Sequence, residues 1–150
     1  MKITYKGDYG LKTLLELALN YNKGVVSIEQ LAKKGDIPKK FLEQVLLSLK
    51  KGGFVDSKRG TEGGYFLSRP PESITVGEAI RFLDGPIEPV ACAGKKSYEK
   101  CGDFPHCVFK EIWSQVYTAT SLVVDTVTFA ELVRRAENAK NNNVTASYYI

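Results

Sequence analysis

Apolar residues recur at helical spacing in three stretches of the first 52 residues. The first stretch follows Asp8, which stands where an N-cap residue is expected, and the second follows Ser27, which forms a capping box with Gln30. The third begins at Pro38, a residue suited to a first helical turn. It predicts a helix over residues 38–51, with a buried stripe made of Phe41, Leu42, Val45, Leu46 and Leu49. The very short connection between the second and third helices is typical of a helix-turn-helix.

Two short runs of β-prone residues follow, at residues 54–55 and 65–67, and they are separated by the turn-rich stretch DSKRGTEGG. This pattern predicts a two-stranded hairpin with a basic tip. Three helices followed by such a hairpin predict a mainly α fold with a winged helix-turn-helix, which we expect to form a DNA-binding domain over residues 1–69. The sequence Arg69-Pro70-Pro71 marks its end.

The rest of the chain predicts a short helix in VGEAIRFLDG, a longer helix from about Pro105, and a last helix over residues 127–136. The longer helix carries an apolar stripe composed of Val108, Ile112, Val116, Ala119 and Val123. A chain this short has little else to cover that stripe, so we expect a homodimer that pairs through a long C-terminal dimerisation helix. Residues 70–137 then hold a ligand-binding loop and the dimerisation helices, and residues 138–150, which show no periodicity, form a flexible tail.

The positive charge of the chain concentrates in the predicted helix-turn-helix and wing. The net charge is +4, and six lysines and arginines lie between residues 39 and 59. Cations at a helix amino end oppose the helix dipole, and a bound phosphate would offset that cost. Glutamate and glutamine side chains can read base edges, and an arginine on the wing can reach a groove. The predicted contacts to double-stranded operator DNA are Lys39, Lys40, Glu43, Gln44, Lys58 and Arg59. The alternatives are a solvated basic surface or a winged helix that contacts protein.

Other classes of protein are disfavoured. No apolar run approaches the length of a membrane span, and the amino terminus has no apolar signal core, so we expect a cytoplasmic protein with no membrane partner. A glycine-rich phosphate loop and a carboxylate pair are both missing from the sequence. His106 and Cys107 are adjacent, so on a helix their side chains would point about 100° apart. We therefore expect no enzymatic activity.

The three cysteines and the one histidine of the chain fall between residues 92 and 107. Eight residues separate Cys92 from Cys101, and five separate Cys101 from Cys107. Structural zinc sites usually pair cysteines at shorter spacing, whereas wider gaps suit an iron–sulfur cluster. Three thiolates leave one cluster ligand to be supplied by a non-cysteine group or a partner chain. Zinc, a thiol redox switch and incidental free thiols remain the alternatives.

The chain resembles the iron–sulfur regulators of the IscR, NsrR and CymR type. The likeness rests on MKITYKGDYGLKTLLELA, FLEQVLLSLKKGGFVDSKRGTEGGYFLS, ITVGEAIRFLDGPIEPV and TFAELVRRA. It implies a dimeric winged-helix transcription factor whose long helix crosses at the dimer interface. It also implies a cluster, [2Fe–2S] rather than [4Fe–4S], on Cys92, Cys101 and Cys107. The branch resembling IscR represses cluster-assembly genes; there the residue matching Glu43 tunes which DNA sites are accepted, and the residue matching Arg59 enters a groove.

Two departures from that pattern concern the cluster. The first cysteine gap is longer here, and the position of the family's histidine ligand is occupied by Lys110. Asp8 from the other subunit, as in nitric-oxide-sensing relatives, and His106 are the candidates for the remaining ligand. Sensing of nitric oxide, control of cysteine metabolism and a zinc- or thiol-based redox response are the alternative functions on the same fold.

Overall fold

The computed structural model describes residues 2–93, 102 and 106–147, the last six of these by backbone only. The helices and strands follow in the order α1 (Tyr5–Leu19), α2 (Ile28–Gly35), α3 (Lys39–Lys51), β1 (Val55–Lys58), β2 (Gly64–Leu67), α4 (Val76–Asp84), α5 (Lys110–Thr126) and α6 (Phe129–Ser147). Short 3-10 turns lie at Pro71–Ser73 and Ala91–Ala93. The predicted mainly helical fold with a two-stranded wing is confirmed.

The amino end of α1 differs from the prediction. Thr4 is the N-cap, because its hydroxyl accepts a hydrogen bond from the backbone N–H of Gly7 at 3.2 Å. Asp8 therefore lies in the first turn, where its carboxylate pairs with Lys12 at 2.7 Å, and the assignment of Asp8 as an N-cap is wrong. The capping box that starts α2 is present as predicted.

The helix-turn-helix and the wing share one hydrophobic core. Its fully buried side chains include Leu14 and Leu17 of α1, Leu31 of α2 and Val55 of β1. The predicted stripe on α3 is buried at Leu42, Val45, Leu46 and Leu49. Phe41 is the exception: it is 62% exposed, because it lies about 90° around α3 from the centre of that stripe.

The wing is an antiparallel pair in which Val55 lies opposite Leu67 and Lys58 lies opposite Gly64. A β-bridge between Val26 and Tyr65 joins β2 to the segment that leads into α2. The wing is thus held by backbone hydrogen bonds to the helix-turn-helix as well as by the core.

The core continues beyond residue 69, since Ile74, Ala79 and Phe129 belong to the same buried cluster. At the amino end of α1, the backbone N–H and hydroxyl of Thr4 donate to the carboxylate of Asp84 at 2.9 and 2.5 Å. These contacts attach α4 to α1. The division of the chain into domains near residue 69 stays a prediction.

The C-terminal helix is longer than predicted. It begins at Phe129, capped by the Thr128 hydroxyl, which accepts from the Glu131 N–H at 3.2 Å, and it continues to Ser147. No glycine or proline interrupts the sequence between residues 129 and 147, so nothing stops the helix at residue 136. Residues 138–147 are therefore helical. The flexible tail expected over residues 138–150 stays a prediction, and residues 148–150 lie outside the described part. Across the described ranges, none of the helices has the length and apolar character that crossing a bilayer would demand.

Candidate nucleic-acid interface and cysteine segment

One side of α3 faces solvent and carries most of the predicted DNA contacts. We call it the outward face of α3; its exposed residues are Lys40, Glu43, Gln44, Leu47 and Lys51. These side chains point away from the buried stripe because the stripe occupies the other half of the helix. Among the described residues, no side chain caps the amino end of α3. Its first-turn amides and Lys40 therefore lie together at one end of this face.

Lys39, which also lies at the amino end of α3, forms an ion pair with Glu29. Its ammonium group lies 2.6 Å from the carboxylate of Glu29, at the start of α2. This hydrogen bond raises the pKa of Lys39, and the same bond lowers the pKa of Glu29. The sequence suggested that a phosphate would offset the charge of Lys39; in the structure, the carboxylate of Glu29 does so. A phosphate at Lys39 has to compete with it.

The wing tip carries Lys58 and Arg59, both exposed, at the end of β1. Lys50 of α3 contacts the wing: its ammonium group donates to Ser57 at 2.6 Å and pairs with Asp56 at 3.1 Å. The Ser57 backbone N–H and then Lys50 lower the pKa of Asp56. The wing is attached to the helix-turn-helix mainly by the Val26–Tyr65 bridge and the buried Val55, and this exposed ion pair adds a contact with α3.

Sequence reasoning missed one residue of this face. Leu47 is 51% exposed, although it stands in the apolar run VLLSL. The exposure of Leu47 could have been predicted from this run. Leu46, Leu47 and Leu49 span too wide an arc of a helix for all three to reach one core.

Both described cysteines adjoin α5. Cys92 lies in the 3-10 turn Ala91–Ala93, which contacts α5, and Cys107 precedes α5, its carbonyl accepting from the Lys110 N–H at 3.3 Å. Both thiols are partly buried and free of disulfide bonds. Cys101 lies outside the described residues. In the part of the chain that is described, no three His, Cys, Asp or Glu side chains lie close enough together to hold a metal.

The two candidates for a further ligand lie in different parts of the chain, and His106 directly precedes Cys107. His106 is exposed, and Asp8 lies on α1 with its carboxylate against Lys12. Among the described residues, the structure therefore connects Cys92 and Cys107 to α5 and assembles no complete ligand set. The assignment of Cys92, Cys101, Cys107, Asp8 and His106 as ligands stays a prediction.

The predicted dimerisation stripe on α5 is exposed. Ile112, Val116 and Val123 of α5 are exposed, and so is Val108, which precedes the helix because α5 begins at Lys110. No residue of α5 is buried. The opposite side of α5 is attached to α4 by Arg81, whose guanidinium group donates to both carboxylate oxygens of Asp125 at 2.5 and 3.0 Å. This pairing raises the pKa of Arg81. An apolar face of this length on an attached helix is typical of a subunit interface.

Comparisons with known proteins agree with this architecture. The family model Rrf2, an iron-dependent transcriptional regulator, matches residues 3–135. The chain is 36% identical over 132 residues to the HTH-type transcriptional regulator CymR of Bacillus subtilis (strain 168), covering 88% of this chain and 89% of CymR. It is 32% identical over 137 residues to IscR of Escherichia coli O1:K1 / APEC, covering 91% of this chain and 83% of IscR.

The solved structure of CymR (YrzC), the global cysteine regulator of B. subtilis, is similar to the present fold with a TM-score of 0.76. The match has 34% sequence identity and covers 90% of this chain and 98% of CymR. The resemblance found in the sequence is thereby confirmed, and with it the absence of an enzymatic role. The chain belongs to the Rrf2 family of DNA-binding transcriptional regulators.

Proposed function

We propose that this chain is a homodimeric regulator whose hold on operator DNA depends on an iron–sulfur cluster bound by Cys92, Cys101 and Cys107. The single observation that carries the proposal is the gathering of all three cysteines between α4 and α5. The regulated genes that we expect are those for iron–sulfur cluster assembly, chiefly by repression.

The donor chemistry of the described thiols fits such a cluster. Cys92 and Cys107 are partly buried and unpaired with each other, so both sulfurs are available as thiolate ligands. Lys95, Lys96 and Lys100 stand in the same segment and would offset the negative charge of a thiolate cluster. When bound, the cluster would supply a redox-active centre that oxidants can destroy. We infer a [2Fe–2S] form with Asp8 of a second subunit or His106 as the remaining ligand.

Contacts inside the chain support a connection between the cysteines and the DNA-binding surface. The turn at Ala91–Ala93 contacts α5, Arg81 holds α5 to α4, and Asp84 holds α4 to α1. Since α1 also packs on α3, these contacts connect α5 to the DNA-binding helix, and the proposal is that a change in the position of α5 moves α3 with it. In a dimer formed through α5, that change alters the separation of the two α3 helices and hence the preferred half-site spacing.

On DNA, we assign Lys39 and Lys40 to phosphates at the amino end of α3, and Glu43 and Gln44 to base edges. Lys58 and Arg59 on the wing reach an adjacent phosphate or groove. The exposure of all six side chains and the attachment of the wing to the helix-turn-helix support these roles.

The test is to purify the protein without oxygen and assay iron, sulfide and visible absorbance. DNA binding of the parent is then compared with that of a C92S/C101S/C107S variant on sequences selected from random duplexes. We expect a brown protein and different operator affinities for the two forms. A colourless protein with zinc, or equal affinity of parent and variant on every selected sequence, would overturn the cluster proposal.

A second candidate is regulation of cysteine metabolism without a cluster. The similarity to CymR, at 36% identity and a TM-score of 0.76, favours it as much as the IscR likeness favours the first. In that case the isolated protein contains neither iron nor sulfide, and the triple serine variant binds DNA as the parent does. Exposure of an iron-containing protein to a nitric oxide donor tests the nitric-oxide alternative in the same assay.

A further inference from the structure

Leu47 interrupts an otherwise polar surface. It is 51% exposed and lies about 150° around α3 from the centre of the buried stripe. Glu43 and Lys51 stand one turn to either side, and Gln44 and Lys40 lie on the same face. Leu47 is therefore near the centre of the outward face of α3, and it does not belong to the buried core cluster.

A single exposed leucine has no meaning by itself, because much of any protein surface is apolar. The position of Leu47 among the proposed DNA-contacting side chains is what indicates a role for it. The base edges in the major groove are nearly all hydrogen-bond donors and acceptors, and covering them with a leucine would leave those polar groups without partners. The C5-methyl group of thymine is the apolar group exposed on that surface.

We infer that Leu47 is a specificity-determining residue that packs against the methyl group of a thymine in each operator half-site. This inference rests on the proposed binding of DNA by α3. The positive charges of Lys40 and Lys51 on the same face favour the approach of a DNA duplex and disfavour an apolar protein partner at this position.

Phe41 offers a comparison on the same helix. It is also exposed, at 62%, but it lies about 120° around α3 from Leu47 and outside the outward face. The two side chains therefore cannot contact the same base. Removal of Phe41 should leave the thymine read by Leu47 unchanged.

The test begins with selection of duplexes from a random library by the full-length, anaerobically purified protein. Each thymine of the enriched sequence is then replaced singly by deoxyuridine, which removes only the methyl group, and affinities are measured for the parent, L47A, F41A and K51A. The parent should lose about fourfold in affinity at one thymine of each half-site, the value expected for one buried methyl group. L47A should bind the thymine and deoxyuridine duplexes equally at that position, whereas F41A should keep the difference.

K51A serves as the charge control, since it should weaken binding to all duplexes alike and reduce the salt slope. A half-exposed leucine contributes little to the core, so we expect the thermal midpoint of L47A to stay close to that of the parent. L47A retaining the parent's full thymine preference, or a parent insensitive to every replacement, would overturn the inference while the DNA-binding proposal stands. If no sequence is enriched, the DNA-binding proposal fails first, and the inference fails with it.

Discussion

Replacing Glu29 with glutamine should strengthen DNA binding and make it more sensitive to salt. In the free protein the carboxylate of Glu29 holds the ammonium group of Lys39 at 2.6 Å, at the amino end of α3. The hydrogen bond from Lys39 lowers the pKa of Glu29, so the carboxylate stays ionised throughout the neutral range and the pair is not released by ordinary changes of pH. Substitution removes the charge and leaves the side-chain length unchanged.

The size of the effect follows from the number of phosphates that the protein neutralises. Each lysine that contacts a phosphate of duplex DNA steepens the dependence of log affinity on log salt by about 0.9. If Glu29→Gln releases Lys39 fully, the slope should increase by about that amount, and affinity at about 0.15 M salt should rise by up to about fivefold. Both side chains of the pair are half-exposed, so Lys39 of the parent protein can leave Glu29 for a phosphate when DNA binds. The gain in affinity and slope from E29Q is then smaller than these upper values.

Fluorescence anisotropy with one selected duplex over a series of salt concentrations measures both quantities. Glu72→Gln is the matched control, because it removes the same charge from the exposed turn at Pro71–Ser73. That turn packs on α6, so the control reports the effect of net charge alone. If E29Q and E72Q have the same slope and affinity, Glu29 does not compete with a phosphate for Lys39, and the predicted gain is refuted.

Two further predictions concern α5. Gly77→Ala should lower stability by up to about 1–3 kcal/mol in urea unfolding, because the added Cβ would lie 1.9 Å from the Asp125 carboxylate and displace it from Arg81. An unchanged midpoint would show that the Arg81–Asp125 pair adds little to stability. Val123→Glu should raise the dimer dissociation constant, measured by sedimentation, about a hundredfold or more, because it would bury an unpaired charge in the interface. Thr118→Glu, on another side of α5, should leave the dissociation constant unchanged. Equal dissociation constants of the two variants would place the interface elsewhere.

The sequence was sufficient for the elements whose formation is decided locally. Helical periodicity located α1 to α5, and the capping box at Ser27 and Gln30 marked the start of α2. The four buried residues at the centre of the α3 stripe were correct because they follow from the period of the helix alone.

The errors arose where distant residues decide the outcome. The residue that caps α1 is Thr4 and not Asp8. The backbone N–H and hydroxyl of Thr4 also donate to the carboxylate of Asp84, eighty positions further along the chain. The contact of Lys39 with DNA stays a prediction, but no local pattern indicates that Glu29 of the preceding helix pairs with it in the free protein. Phe41 was assigned to the core because its spacing fitted, but the core ends before it reaches that side of α3.

For the cysteines, the sequence contributed more to the hypothesis than the structure did. The clustering of Cys92, Cys101 and Cys107 is a property of the sequence, and it carries the chemical hypothesis without any coordinates. The described structure adds a different fact, which is that the turn containing Cys92 contacts α5. The chemical hypothesis therefore rests on residue types alone, whereas the contact between the Cys92 turn and α5 required the fold.

The way in which α4 is held between α1 and α5 determines what kind of response a change at the cysteines can produce. Gly7 lets α1 approach Asp84, and Gly77 lets α4 approach Asp125; at either glycine a Cβ would lie within about 2 Å of the facing carboxylate. Interfaces packed this closely do not deform gradually, so a displaced α5 should carry α4 and the helix-turn-helix with it as one body. The core, which continues from α1 through α4 to Phe129, stays intact in such a movement. We therefore expect a signal at the cysteines to change the preferred spacing of operator half-sites and to leave the thermal stability of the helix-turn-helix unchanged; loss of α3 protection in amide hydrogen exchange when the cysteines are modified would contradict this reasoning.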